Sequence, residues 1–170
     1  MLRYLDVQNI LDKNDLILQE SGCVGSENER GNTYMKKIGI VTDSHSSISQ
    51  EEAEKLGIFV LPMPFYIDGE CFYESVTLSR ELFFEKLAAG ADITTSQPSP
   101  TAVMEIWDKA LEQFEKILYL PISSGLSGSY ETAMMLAKDE TYEGRVLVVD
   151  DGQVAAPLHQ MVLDTLDMIK

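Results

Sequence analysis

Small hydroxyl side chains are concentrated in three short segments of this 170-residue chain. Serine and threonine supply compact O–H donors without adding charge, and unpaired amides at helix starts add N–H donors beside them. Gly125 and Gly128 let the backbone approach a ligand in the third segment, and none of the three contains lysine or arginine. These residue types favour a cradle for a singly charged anion, such as a carboxylate, over a triphosphate site. The segments are Thr42-Asp43-Ser44-His45-Ser46-Ser47, Thr94-Thr95-Ser96-Gln97-Pro98-Ser99 and Ser123-Ser124-Gly125-Leu126-Ser127-Gly128-Ser129-Tyr130.

The predicted order of strands places these segments at one edge of a sheet. Residues 42–47 follow an apolar strand over 38–41, residues 123–130 follow a strand over 116–120, and residues 94–99 precede a strongly amphipathic helix. In open parallel sheets, ligands bind beyond the carboxyl ends of the strands, where such loops gather. The alternative interpretation is that the hydroxyls only cap helices and close turns, which is their commonest use.

Short apolar strands alternate with amphipathic helices from residue 37 onward. The best-patterned helix begins behind Ser99 and Pro100, an N-cap and a first-turn proline, and an earlier helix runs from a capping box at Ser49 to Gly57. This alternation predicts an α/β fold with a mostly parallel sheet and helices on both faces. The predicted strands are 38–41, 58–61, 116–120 and 146–149, with a hairpin turn at 67–70, and the helices are about 49–56, 80–89, 99–114, 126–137 and 154–169. One buried face of the third helix comprises Val103, Ile106, Trp107, Ala110, Leu111 and Phe114.

Composition divides the chain into two parts. Residues 1–34 join a weak helical pattern to a polar stretch rich in Gly and Asn, which predicts a poorly ordered extension or linker. Residues 35–170 carry the regular rhythm of strands and helices, and their number suits one ordinary domain.

Charge and cysteine usage exclude several classes of function. The formal charge of −15 would repel a phosphate backbone, so we expect no nucleic acid partner. Cys23, Cys71, His45 and His159 do not form a zinc-binding pattern, and we predict neither a metal nor a cofactor. No run approaches the ~20 apolar residues of a membrane helix, and no signal peptide is evident, so we predict a cytoplasmic protein without stable membrane insertion.

Enzyme motifs are incomplete. Asp43 ends a strand, but an aspartyl-phosphate site needs a second Asp two residues later, where His45 stands. Gly125-Leu126-Ser127-Gly128 falls short of a Gly-x-Ser-x-Gly nucleophile motif and of a phosphate-binding Gly-Lys-Ser/Thr loop. We interpret His45 as a loop residue and His159 as a residue of a helix surface. A hydrolase that uses Ser124 or Asp43, and a regulatory domain with a vestigial pocket, stay open as alternatives.

Five segments in matching order resemble motifs of the DegV family. Two departures stand out, since Ser129 replaces a Thr of the family motif and Asp151 replaces a Ser. The likeness extends from about Lys36 to the C-terminus. The segments are Ile40-Val41-Thr42-Asp43-Ser44, residues 57–63 with Ile67-Asp68-Gly69, Thr95-Ser96-Gln97-Pro98-Ser99, residues 122–130 and Val148-Val149-Asp150.

The resemblance implies a DegV-like N-terminal domain that binds a long-chain fatty acid and is not itself an enzyme. In bacteria, such a protein presents the acid to the catalytic subunit of a fatty acid kinase. By this likeness Thr95 and Ser123 or Ser124 hold the carboxylate, while Ser96, Gln97, Ser127 and Gly128 shape the loops around it. Family members are longer and place a His and an Arg of a second domain near the carboxylate. Because this chain stops at Lys170, we expect it to lack that domain and to bind fatty acid weakly by itself.

Overall fold

The computed structural model describes residues 36–73, 76–150 and 152–169, so the extension predicted over residues 1–34 lies outside the described residues. In chain order the elements are β1 (Lys36–Asp43), a 3-10 turn (Ser44–Ser46), α1 (Gln50–Leu56), β2 (Phe59–Leu61), β3 (Pro64–Ile67), β4 (Glu70–Tyr73), α2 (Arg80–Ala88), β5 (Ile93–Thr95), α3 (Pro100–Leu111), β6 (Phe114–Leu120), α4 (Ser129–Leu136), β7 (Val146–Val148) and α5 (Ala156–Met168).

The predicted parallel sheet is confirmed. Its strand order is β2-β1-β6-β7, and every neighbouring pair runs parallel. Val41 at the centre lies opposite Phe59 on one side and Tyr119 on the other. Parallel strands joined through helices bring their carboxyl ends to one edge, so the loops after β1, β6 and β7 meet there.

Helices cover both faces of this sheet. On one face, Val41, Ile117 and Tyr119 pack with Trp107 of α3, which is fully buried and meets the Tyr119 ring edge-on at 5.6 Å between centroids. Strand side chains alternate between faces, and the alternate residues Ile40, Leu118 and Leu120 are buried as well. α5 contacts β1 and buries Leu158 and Val162.

The helix boundaries follow the local chemistry that predicted them. The Ser49 and Ser99 hydroxyls accept hydrogen bonds from the amides of Glu52 and Ala102, and Gly57 ends α1 with a left-handed φ of 71°. No helix among the described ranges is long and apolar enough to span a membrane.

Two predicted helix members belong elsewhere. Phe114 is buried as expected, but it is the first residue of β6, paired with Lys36, because α3 ends at Leu111. Leu126 lies in the loop before α4 and is 65% exposed, so it is not part of a buried helix face.

The structure also contains a second, antiparallel sheet of three strands, of which the sequence predicted only the hairpin. The predicted hairpin forms β3 and β4 around Asp68 and Gly69, both with positive φ, as a two-residue hairpin turn requires. Thr94 and Thr95 were predicted to lie in a loop, but they belong to β5 (Ile93–Thr95), a third strand that pairs with β3 and sets Thr95 opposite Phe65.

Candidate functional site

The buried carboxylate of Asp43 connects two of the hydroxyl-rich loops. One of its oxygens accepts a hydrogen bond from the His45 amide at 2.9 Å, and the other accepts from the Ile122 amide at 2.7 Å. Its side chain has no solvent exposure, and the adjacent Thr42 hydroxyl donates to the Leu120 carbonyl at 2.8 Å. Asp43 therefore acts as a fixed acceptor that holds the loop after β6 against the loop after β1.

Asp150, two residues after β7, holds the same loop from the other side. Its carboxylate accepts hydrogen bonds from the Ser124 amide at 3.3 Å, from the Gly152 amide at 2.9 Å and from the Ser124 hydroxyl. Residues 123–130, here called the serine segment, are thus held at their start by Asp43 at the end of β1 and by Asp150 just after β7, on either side of β6.

These contacts decide which hydroxyls can still donate to a ligand. A hydroxyl has one hydrogen, and Ser124 gives its hydrogen to Asp150. Ser96 likewise donates to the Gln97 carbonyl at 3.1 Å, and Ser127 shares one hydrogen bond with Ser129 at 2.7 Å. Ser123 only accepts, from the Gly125 amide at 3.2 Å, so its own hydrogen stays available.

The motif around Thr95 meets the serine segment through Gln97. A Cβ atom added to Gly128 would lie 2.8 Å from the Gln97 Oε1 atom, which is closer than real side chains approach. Thr95 precedes Gln97 by two residues, a backbone span of at most about 7 Å. Two of the three loops predicted to share a site are therefore neighbours in the fold.

An apolar cavity of about 260 Å³ opens beside Thr95. It lies between the antiparallel sheet and α2, and its polar members come from the loop after β1, the start of α2 and β5. Of the residues predicted for the site, Thr95 lines this cavity, whereas Ser96, Ser123, Ser124, Ser127 and Gly128 do not. The lining comprises Ser44, His45, Met63, Pro64, Phe65, Leu78, Ser79, Arg80, Phe83, Phe84, Ile93 and Thr95.

His45 and Arg80 belong to the site although the sequence interpretation left them out. His45 lines the cavity, its side chain is 36% exposed, and its Nδ1 atom lies 3.3 Å from the Asp43 carboxylate without the alignment of a hydrogen bond. The local structure of the two histidines is as interpreted, since His45 lies in the short turn after β1 and His159 is a helix residue that pairs with Glu52 at 3.3 Å. Arg80 carried no signal in the sequence, because only the packing of α2 over the cavity brings it to Thr95.

Burial also fixes the charge state of the aromatic core below the loops. The hydroxyl of Tyr119 is buried, and burial, reinforced by the nearby Asp43 carboxylate, raises the pKa of Tyr119 well above its usual value. Tyr142 donates to Asp108 at 2.9 Å, and burial together with this bond raises the pKa of Tyr142 to about 12. Both phenols are therefore neutral at physiological pH.

The described part of the chain has no cluster of side chains that could bind a metal ion. No group of three or more His, Cys, Asp or Glu side chains within it is arranged to hold an ion. Cys71 is a free, exposed thiol on β4.

Comparison with known proteins identifies the family of this chain. A family model described as "Uncharacterised protein, DegV family" matches residues 37–170. The chain belongs to the DegV family. The DegV match covers every residue of the two carboxylate-anchored loops and the cavity, so the site lies entirely within the family domain.

Individual DegV relatives are bacterial. A DegV domain-containing protein of Caldanaerobacter subterraneus is 36% identical over 68% of this chain and 41% of its own length. One from Deinococcus radiodurans is 35% identical over 78% of this chain and 47% of its own. A DegV domain-containing 15.5 kDa protein of Staphylococcus aureus is 28% identical over 79% of this chain and 95% of its own length. This chain thus spans about half the length of the first two relatives.

Solved DegV structures share the fold. A Thermus thermophilus DegV family protein, described by its fatty acid binding, is 33% identical with a TM-score of 0.71 over 78% of this chain and 47% of its own. A Thermotoga maritima protein described as revealing a fatty acid binding function is 26% identical with a TM-score of 0.62, over 80% of this chain and 54% of its own. The α/β architecture is therefore that of DegV proteins.

Proposed function

We propose that this chain binds a long-chain fatty acid, with the carboxylate between Thr95 and Ser123 and the hydrocarbon tail in the cavity. The observation that carries the proposal is the position of Thr95, which lines an apolar cavity while its neighbour Gln97 contacts the serine segment. The Thermus thermophilus relative, described by its fatty acid binding, supports the ligand class.

The available hydroxyls suit a carboxylate head. Thr95 and Ser123 each keep a hydrogen to donate, whereas Ser124 is committed to Asp150. Of the two serines that the resemblance offers for this contact, we therefore assign the head-group contact to Ser123 and a positioning role to Ser124. A hydrogen bond to a charged group contributes about 1.5–3 kcal/mol, enough to orient the head.

The cavity suits part of an acyl chain. At roughly 30 Å³ per methylene, similar to the share of one water molecule in the liquid, about 260 Å³ accommodates about nine methylenes. At ~0.8 kcal/mol for each buried methylene, the tail contributes ~7 kcal/mol before the costs of binding. Tail burial therefore provides most of the affinity.

The same proposal includes a separate kinase as partner. The hydroxyl-rich loops carry no lysine or arginine and no phosphate-binding Gly-Lys-Ser/Thr motif, so phosphorylation of a bound acid needs another protein. We place this exchange in the cytoplasm, where ATP is available. ADP release by a fatty acid kinase catalytic subunit should then require both the fatty acid and this chain.

A hydrolase is less well supported by the geometry. Ser124 contacts a carboxylate instead of a histidine, and both oxygens of Asp43 accept backbone hydrogen bonds in a fully buried position. Ser124 therefore lacks the histidine base of a Ser-His-Asp triad, and the Asp43 carboxylate is not exposed to a substrate.

The decisive experiment measures palmitate binding by calorimetry to the full chain and three variants. Thr95→Val and Ser123→Ala should each weaken binding about tenfold, because each removes one charge-assisted donor. Thr94→Val is the matched control, since Thr94 is exposed on the same strand and does not line the cavity. Palmitate affinity that is equal in all four proteins would refute the proposed head-group site.

A further inference from the structure

The charge of the cavity lining is opposite to that of the chain. The sequence holds 28 acidic and 13 basic residues, yet none of the twelve residues that line the cavity is Asp or Glu. The two lining residues that can carry charge are His45 and Arg80, and both can only be cationic. A negatively charged surface repels an anion at long range, so an anionic ligand needs such a local reversal.

His45 is held in place by a buried carboxylate. Its Nδ1 atom is buried and lies 3.3 Å from Asp43, while its backbone carbonyl accepts a hydrogen bond from the Ala155 amide at 2.7 Å. Asp43 is itself fixed by the Ile122 amide at 2.7 Å. With the carboxylate beside Nδ1, the Nε2 atom is the ring nitrogen left to donate to a ligand.

Arg80 is held at the same cavity by an aromatic ring. It is the first residue of α2, behind the Ser79 cap, and its Cζ atom lies 5.8 Å from the centroid of the Phe84 ring. Phe84 also lines the cavity. Arginine stacks on aromatic faces and keeps its charge at any physiological pH, so Arg80 is a permanent cation beside the apolar space.

We propose that His45 and Arg80 make the cavity selective for anionic amphiphiles over neutral ones with the same tail. This inference rests on the proposed function, and it adds a property that Thr95 and Ser123 do not supply. Hydroxyl groups can bind an acid or an alcohol, whereas a cation attracts a carboxylate head and has no net charge to attract in a hydroxyl head. The tail provides affinity, the hydroxyls provide orientation, and these two side chains discriminate by charge.

The test compares decanoate with decanol, two ligands of equal tail length and different head charge. Dissociation constants are measured by calorimetry for the full chain and for His45→Gln and Arg80→Gln. Lys86→Gln is the matched control, because Lys86 lies on the same helix and carries the same charge but does not line the cavity. Thr95→Val reports separately on the proposed head-group site, and thermal melts confirm that each variant is folded.

The wild-type chain should prefer decanoate, and each of His45→Gln and Arg80→Gln should reduce that preference by about three- to tenfold. Decanol affinity should stay the same in both, and Lys86→Gln should change neither ligand. If Thr95→Val weakens decanoate while both cavity variants keep the wild-type preference, the inference is wrong and the proposed function stands. If the wild-type chain binds neither ligand, both fail. Should His45→Gln not fold, unchanged selectivity in Arg80→Gln alone overturns the inference.

Discussion

The Gln97 side chain lies against Gly128, so close that a Cβ atom at residue 128 would sit 2.8 Å from Gln97 Oε1. The two residues are far apart in the sequence, and each belongs to a different hydroxyl-rich loop. Their contact is the physical link between Thr95 and the serine segment, on which a shared head-group site depends.

Gly128→Ala should disturb the site more than the fold. Gly128 has a φ of −72°, which any residue adopts, so the substitution acts only by displacing the Gln97 side chain. Because Gln97 is exposed and flexible, we expect less than ~1 kcal/mol of lost stability together with several-fold weaker palmitate binding. Urea unfolding and calorimetry measure the two effects.

Gln97→Ala completes a double-mutant cycle with Gly128→Ala, which measures the coupling between the two residues. With the longer side chain removed, Gly128→Ala should become nearly neutral for stability, giving a coupling energy of at least about 0.5 kcal/mol. Strictly additive effects of the two substitutions would mean that the side chains do not meet in solution.

Asp150→Asn should loosen the serine segment. The carboxylate accepts from two amides and the Ser124 hydroxyl, and an amide side chain can offer only one acceptor oxygen. Leaving a buried donor unpaired costs about 1–3 kcal/mol; these donors are partly buried, so we expect a loss of about 1 kcal/mol together with weaker palmitate binding. Asp164→Asn is the matched control, because it removes the same charge while keeping an acceptor for Gln160; equal losses in both variants would contradict the positioning role.

Tyr119 and Tyr142 form a matched pair around Trp107. Both rings meet the indole edge-on, but the Tyr142 hydroxyl donates to Asp108, whereas the buried Tyr119 hydroxyl has no partner among the described protein groups. Tyr142→Phe should therefore lose about 1 kcal/mol of unfolding free energy, and Tyr119→Phe should be neutral or stabilising. A larger loss in Tyr119→Phe would show that its hydroxyl is bonded in solution.

Tail length should matter only until the cavity is full. Affinity should increase about fourfold for each added methylene from hexanoate to roughly decanoate, because burying one methylene contributes about 0.8 kcal/mol of binding free energy. Beyond decanoate, each added methylene should increase the affinity much less. Calorimetry on even-numbered acids tests this course. A constant increment up to hexadecanoate would mean that the whole tail is buried and that a cavity of about 260 Å³ is not its container.

The sequence predicted the elements that depend on local chemistry. Ser49 and Ser99 cap their helices, and Gly57 ends α1, because each signal acts within one turn. The parallel strands were found because runs such as Val146-Leu147-Val148 are apolar at every position, as strands covered on both faces are. These signals established the α/β sheet before any contact was known.

What the sequence missed depends on contacts between distant residues. β5 has only three residues, and it is a strand because Phe65 lies opposite Thr95. Ser124 gives its hydrogen to a residue 26 positions away, so the sequence could not distinguish it from Ser123. His45 and Arg80 meet at the cavity only through packing of α2, which no spacing between them reveals.

Nuclear magnetic resonance of the complex with ¹³C-labelled palmitate tests the central claim most directly, because it locates the acyl chain. The account predicts intermolecular NOEs from the tail to the methyl groups of Met63, Leu78 and Ile93 in the cavity, and from the carbon next to the carboxylate to the Thr95 methyl group. Tail NOEs to other surfaces, such as the exposed Leu126 and Met135, with none to the cavity, would contradict it.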